Sequence, residues 1–268
     1  MTFEIFKRLA ASTAAFTAGN IVVSQVAASA VNATGSIVEL NPSTPSTPIQ
    51  TIPVPDGVTN SNGLRFSGWA TSTGYLAATN DGTIISFAGA NSNNTTANVN
   101  ALISRGVGTF NGSGIPNLAT TYTGASDQQT RGATSINKTT AYIGDQNGLY
   151  TNGSTAPSPS GNFRSVKSFG GIVYGFQAST TVPYLSTISA PLGGTVAGLP
   201  GLPNGTISGQ DFYLISSGSS GAAFDVLYIV ATTSATAGTI GGDRHGQFCR
   251  RLQHFADVHR RNLRRRGL

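Results

Sequence analysis

Charge is scarce in this chain. Only 10% of its 268 residues are Asp, Glu, Lys or Arg, against roughly a quarter in an average soluble protein. That excludes a coiled coil or a Lys/Glu-rich helical bundle, whose solvent faces need charge. Disorder driven by net charge is also disfavoured. Cysteine occurs once and histidine three times, and all four lie beyond residue 240. Residues 1–240 therefore hold no internal disulfide, no Ser-His-Asp or Cys-His constellation and no His-ligated zinc. No apolar run reaches 18 residues, so no membrane-spanning helix is expected. Neither a phosphate-binding GxxxxGK[ST] loop nor a dinucleotide fingerprint is present.

What fills the chain instead is Gly, with 34 residues, and Ser, Thr and Asn. Short apolar runs rich in β-branched and aromatic residues stand between turn clusters. Examples are Thr83-Ile84-Ile85-Ser86-Phe87, Gly171-Ile172-Val173-Tyr174-Gly175-Phe176 and Val226-Leu227-Tyr228-Ile229-Val230. No long segment before residue 245 carries a helical apolar period with caps. Asn80-Asp81-Gly82 and Asn147-Gly148 are hairpin signals, because these residues tolerate the positive φ that tight hairpin turns require. The pattern predicts an all-β fold.

The hairpins recur. Those led by Tyr75, Tyr142, Tyr174 and Tyr228 return about every 51 residues on average, near the ~40–50 of a four-stranded propeller blade. Arg65, Arg131 and Arg164 stand ten or eleven residues ahead of the first three tyrosines. That placing predicts three arginines on the innermost strands of successive blades. Residues 20–26, 36–40 and 49–54 read as three strands of one further blade. The expected fold is thus a β-propeller of four-stranded antiparallel blades spanning residues 18–240 and incomplete as a ring.

Gly19-Asn20-Ile21-Val22-Val23-Ser24-Gln25-Val26, Arg131-Gly132-Ala133, the stretch from Arg164 to Tyr174 and Asp225-Val226-Leu227-Tyr228-Ile229-Val230 resemble segments of a largely uncharacterised family. Its members are secreted bacterial Gly/Ser/Thr-rich, propeller-like proteins, some ending in a PEP-CTERM sorting signal. The resemblance covers roughly residues 18–240 and implies a fold and export rather than an activity. Two departures stand out. Ala27-Ala28-Ser29-Ala30 occupies the place of an expected Gly-rich turn, and the blade begun near Asp211 stops at Ile240 where family members continue.

The ends differ in composition from the rest. Residues 1–17, with Lys7-Arg8 ahead of a short run of small and apolar residues, read as a signal peptide. Residues 1–240 hold eight basic and eight acidic residues, whereas residues 241–268 hold eight Arg and two Asp. The whole net charge of +6 therefore belongs to this Arg-rich tail. The tail reads as a frameshift product, or else as a disordered or helical basic extension that binds nucleic acid or an anionic membrane. Metal binding by Cys249, His254 and His259 is rejected, because steps of five residues rotate a helix by about 140° each and scatter the three side chains.

Together these features predict a secreted extracellular structural or ligand-binding module with no catalytic constellation and no cofactor. Its partner is an extracellular polysaccharide or cell-surface component, with no nucleic acid bound through the main domain. The candidate site is an anion-binding ring of Arg65, Arg131 and Arg164, with Asp127 the acid nearest Arg131 in sequence. The alternative is a carboxylate-dependent carbohydrate-active enzyme, a glycosidase or lyase, at the central face, drawing on Asp127, Asp145, Asp211 and Asp225.

Overall fold

The structure is a computed structural model. It describes residues 15–27, 30–58, 60–70, 72–177, 183–200, 202, 209–217, 224–234 and 237–244, with side chains left out for 209, 210 and 231–244. The segment expected as a signal peptide and the Arg-rich tail lie largely outside these residues.

The described chain is all-β, with antiparallel sheets and a single 3₁₀ turn at Val99–Ala101. The first sheet holds β1 (Ile21–Val26), β2 (Gly35–Leu40) and β3 (Pro48–Pro53), the three strands expected from the sequence. The second holds β4 (Ala77–Ala78), β5 (Ile84–Ala90), β6 (Ser104–Asn111) and β7 (Pro116–Thr123). The third holds β8 (Thr130–Ser135), β9 (Ala141–Asp145) and β10 (Leu149–Tyr150). The fourth holds β11 (Phe163–Phe169), β12 (Ile172–Gln177), β13 (Leu185–Ile188) and β14 (Val196–Gly198). The fifth holds β15 (Gly209–Ile215), β16 (Val226–Ser234) and β17 (Ala237–Arg244), so its last strand runs across residue 240. Two sheets have four strands and three have three among the described residues. Every sheet is a meander in chain order, as tight hairpin turns dictate. Gly82, at φ 70° in the β4–β5 turn, occupies the left-handed region open to glycine.

Apolar side chains alternate along the strands and bury between consecutive sheets. Ile37, Ile52, Leu64, Phe66, Phe87 and Phe110 join the first sheet to the second. Val107, Tyr122, Ile143 and Tyr150 join the second to the third. Leu149, Phe163, Val166 and Val173 join the third to the fourth. Phe169, Phe176, Tyr184, Phe212 and Leu227 join the fourth to the fifth. The molecule is thus a chain of sheet-on-sheet contacts, each with its own core.

The first strands of these sheets meet. β4 and β8 lie parallel: Tyr75 bridges Gly132, its N–H donates to Arg131 O at 3.1 Å, and Asn80 N–H donates to Ser135 O at 3.1 Å. Thr134 Oγ1 donates to Ala78 O at 3.0 Å and lies 3.0 Å from Ser168 Oγ, which ties β11 to β8 and β4. Ser24 Oγ of β1 donates to Gly74 O at 2.8 Å, and Lys167 of β11 pairs with Asp211 of β15.

Candidate functional site

At the junction lies an open cleft of about 600 Å³, lined by Ile21–Ser24 of β1, Thr73–Ala78, Lys167, Asp211 and Tyr213. The lining is part apolar and part polar. Tyr213, 55% exposed, presents a ring edge-on to Phe169, centroids 5.1 Å apart. Lys167 Nζ donates to Asp211 Oδ2 at 2.8 Å on the cleft wall. No helix among the described residues is long and apolar enough to cross a membrane.

Arg131 and Arg164 sit beside this cleft, and local strand chemistry puts them there. In β8, Thr130 opposes Asp145 while Gly132 opposes Gly144, so Arg131 is an extra, bulged residue. In β11 the register shifts between Phe163 and Val166, so Arg164 and Ser165 form a second bulge. A third shift lies between Gly209 and Asp211 of β15. A bulge bends its strand and re-aims a side chain off the alternating faces. The glycine beside the first bulge keeps the strands close: a Cβ on Gly132 would lie 3.1 Å from Tyr75 Cβ.

The two arginines feel one another. Arg131 is 3% exposed, and its guanidinium is pulled down to about 10, first by burial and then by the Arg164 charge. Tyr75, which lines the cleft, is pushed up to about 12 by burial, against the opposing pull of Arg164 and Arg131; Arg164 also hydrogen-bonds its hydroxyl. Tyr75 is therefore a neutral phenol at neutral pH. At the two bulges, Thr130 Oγ1, Arg131 Nε and Nη1, and Ser165 Oγ are buried with no hydrogen-bond partner among the described residues.

The other two residues expected at the site lie elsewhere. Arg65 bridges Ala90 at the end of β5, donates from Nε to Asn32 Oδ1, and from Nη1 to Asp56 O at 3.1 Å. Its partners hold it in the wall between the first two sheets. The reason is a register error of one strand in the sequence repeat. Tyr142, Tyr174 and Tyr228 fall on second strands, whereas Tyr75 leads into the first strand of its sheet. The residue of the second sheet level with Arg131 is Gly74, since Tyr75 stands opposite Gly132. Asp127 is exposed at φ 62°, and its side-chain bond is with Ser126 Oγ at 3.3 Å.

Sequence reasoning passed over Arg105. It is fully buried and donates from Nη1 to Asp145 Oδ2 at 2.6 Å, and from Nη2 to Ala125 O and Gln128 O at 2.6 Å each. Tyr122 donates its hydroxyl to the same Asp145 oxygen at 2.9 Å. This ion pair anchors the loop that leads into Thr130 and Arg131. A signal existed, because a charged residue inside an apolar strand of a chain this poor in charge needs a partner. No cluster of three or more His, Cys, Asp or Glu residues suited to a metal exists among the described residues. Compared with protein-family models and with curated proteins, the chain has no match.

Proposed function

We propose that this chain is a secreted β-propeller-type module that binds an extracellular polysaccharide at the cleft where its first strands converge, without catalysing a reaction. The observation that carries this reading is the arrangement itself: consecutive meander sheets packed face to face, with the first strands of the first, second, fourth and fifth sheets lining one cleft. That is how propeller blades are disposed about a central channel. The resemblance of the segments around Arg131, Arg164 and Tyr228 to secreted propeller-like proteins supports export. Binding sites favour such concave, mixed-polarity surfaces.

The enzymatic alternative finds little support in the carboxylates. A glycosidase sets two carboxyl groups across one bond, about 5–9.5 Å apart. Asp145 and Asp211 are each engaged by a cation, Arg105 and Lys167 respectively, and Asp127 stands exposed on a turn. Affinity electrophoresis against neutral and acidic polysaccharides, run beside an assay for released reducing ends, tests the proposal. The expected result is retardation by at least one polymer, no reducing ends, and about tenfold weaker binding in Tyr213→Ala, which removes a stacking surface. Retardation by none, or reducing-end release abolished by Asp211→Asn, overturns it.

A further inference from the structure

We propose that Tyr213 and Tyr228 form a stacking platform that extends the cleft along the open face of the fifth sheet, and that its ligand is a neutral polysaccharide. This rests on the reading of the cleft as a polysaccharide site and names the class of polymer. The first support is strand register. Phe212 and Leu214 of β15 and Leu227 and Ile229 of β16 point into the core against the fourth sheet. Alternation puts Asp211, Tyr213 and Ile215 of β15 on the opposite face. Tyr213 stands directly across from Tyr228, and Asp211 across from Val230, so Tyr228 and Val230 share that face. Tyr213, Ile215, Tyr228 and Val230 are all exposed. On the far side of β16, β17 sets Gly242 opposite Tyr228, and a glycine has no side chain to cover the ring. Asp211 and Tyr213 also line the cleft, so this face adjoins it directly.

The second support is charge. Among the described lining residues only Lys167 and Asp211 are charged, and neither Arg131 nor Arg164 lines the cleft. Lys167 Nζ donates to Asp211 Oδ2 and Phe212 N–H donates to Asp211 Oδ1, each at 2.8 Å. Tyr75 is a neutral phenol. The described wall thus neutralises itself, and a charged polymer entering it would lose hydration without gaining a counter-charge. What the wall does offer is aromatic and hydroxylic. A tyrosine ring gives the C–H side of a sugar an apolar face. Ser24 Oγ and Thr73 Oγ1 line the cleft and donate to Gly74 O and Thr130 O, which leaves their lone pairs to accept from sugar hydroxyls. The third support is shape. Phe169 packs edge-on against the Tyr213 ring, centroids 5.1 Å apart, and holds it in place. β1 lines the cleft over Ile21–Ser24, roughly 10 Å of strand, which suits several sugars in a row. The exposed patch is four side chains, against roughly 20–30 residues a side in a stable protein interface, so it fits a narrow polymer better than a second protein surface.

The test uses the full chain. Affinity electrophoresis gives dissociation constants for a β-glucan, a xylan, a mannan, polygalacturonate and dextran sulfate, at low and at high sodium chloride. Expected are tighter binding to a neutral polymer than to either acidic one, and an affinity that salt leaves unchanged, because no ion pair is made. Tyr228→Ala should bind that neutral polymer about tenfold more weakly, from the loss of a stacking surface, while melting near the parent. Tyr228→Trp, which restores an aromatic face, should bind well above Tyr228→Ala. Parent-like binding in Tyr228→Ala, a Tyr228→Trp as weak as Tyr228→Ala, or retardation confined to the acidic polymers and weakened by salt overturns the platform. So does a dimer in sedimentation velocity that Tyr228→Ala abolishes, since a second copy would then cover this face. Retardation that Tyr213→Ala weakens and Tyr228→Ala leaves intact rejects the platform and keeps the cleft reading. Absence of binding to every polymer in the parent removes the cleft reading itself, and the platform with it.

Discussion

At the scale of single residues, the few charges in this chain do structural work by pairing. Asp145 accepts from Arg105, from the Tyr122 hydroxyl and, at Oδ1, from Asn147 N–H at 3.2 Å. Burial first, then the Asp145 charge, pushes the Tyr122 hydroxyl well above its usual range, so it remains a donor. Removing one partner strands the other's charge, which costs about 3–5 kcal/mol, whereas replacing both with apolar residues costs much less. Asp145→Ala should therefore destabilise the protein by about that amount, and Arg105→Leu combined with Asp145→Leu by clearly less. Urea denaturation of the three proteins checks this, and a double variant as unstable as the single one contradicts it. Glu39 gives a pH signature. It is fully buried, and burial tends to raise its carboxyl. Hydrogen bonds from Asn20, Gln50 and Thr17 outweigh that and hold it below the ordinary 4.5. A lowered folded-state value means the carboxylate contributes stability above 4.5, and that contribution is lost as pH falls through the lowered value. Glu39→Gln should lower the melting temperature at pH 7 and flatten its fall on acidification below about 4.5. Parallel acid limbs for the two proteins would contradict this.

At the scale of elements, the strands were legible and their pairing was not. Val, Ile, Tyr and Phe runs bounded by Gly, Asn and Asp report strands and hairpins directly, which is why β1, β2 and β3 and the turns at Asp81-Gly82 and Asn147-Gly148 follow from the sequence. A bulge is a property of two strands together, so nothing in Thr130-Arg131-Gly132 alone announces one. Counting back from tyrosines placed Arg131 and Arg164 at a common position and misplaced Arg65, because Tyr75 belongs to a first strand and not a second. The Arg105–Asp145 pair was hidden for a similar reason. Its members are 40 residues apart, and Asp145 also reads as an ordinary turn residue. The glycines around the bulges have a packing role that substitution exposes. Gly144 of β9 stands opposite the β8 bulge, and a Cβ there would lie 2.6 Å from Val166 Cγ2 and 3.3 Å from Phe163 Cβ. Both neighbours are buried in the core between the third and fourth sheets. Gly144→Ala should cost about 1–3 kcal/mol through overpacking. A thermal shift assay that finds it neutral shows that the two sheets can separate slightly at the bulge.

At the scale of the whole molecule, the four separate cores between five consecutive sheets among the described residues make stability a matter of neighbouring pairs. Where each unit packs chiefly on the next, stability is approximately a sum of unit and interface terms, and opening can begin at one interface. The cross-links at the cleft oppose this: Thr134 and Ser168 Oγ at 3.0 Å, Ser24 to Gly74 at 2.8 Å, and Lys167 with Asp211. These links are polar, while the cores bury whole aromatic rings, so the cores should dominate. Phe212 is 1% exposed in the core between the fourth and fifth sheets, stacked 6.2 Å from Phe176 at 20° between planes. Leu64 is 1% exposed in the core between the first two sheets. Truncation of either leaves a cavity costing about 3–5 kcal/mol for Phe→Ala and 2–5 for Leu→Ala. In Phe212→Ala, amide protection should fall across β15, β16 and β12 while β2 and β6 keep the parent's protection. In Leu64→Ala the pattern should reverse, with β2, β5 and β6 affected and β12 and β16 spared. Hydrogen exchange read by mass spectrometry on the two variants separates these outcomes. A uniform loss of protection across all five sheets in both variants would mean that the polar cross-links at the cleft bind the sheets into a single cooperative unit.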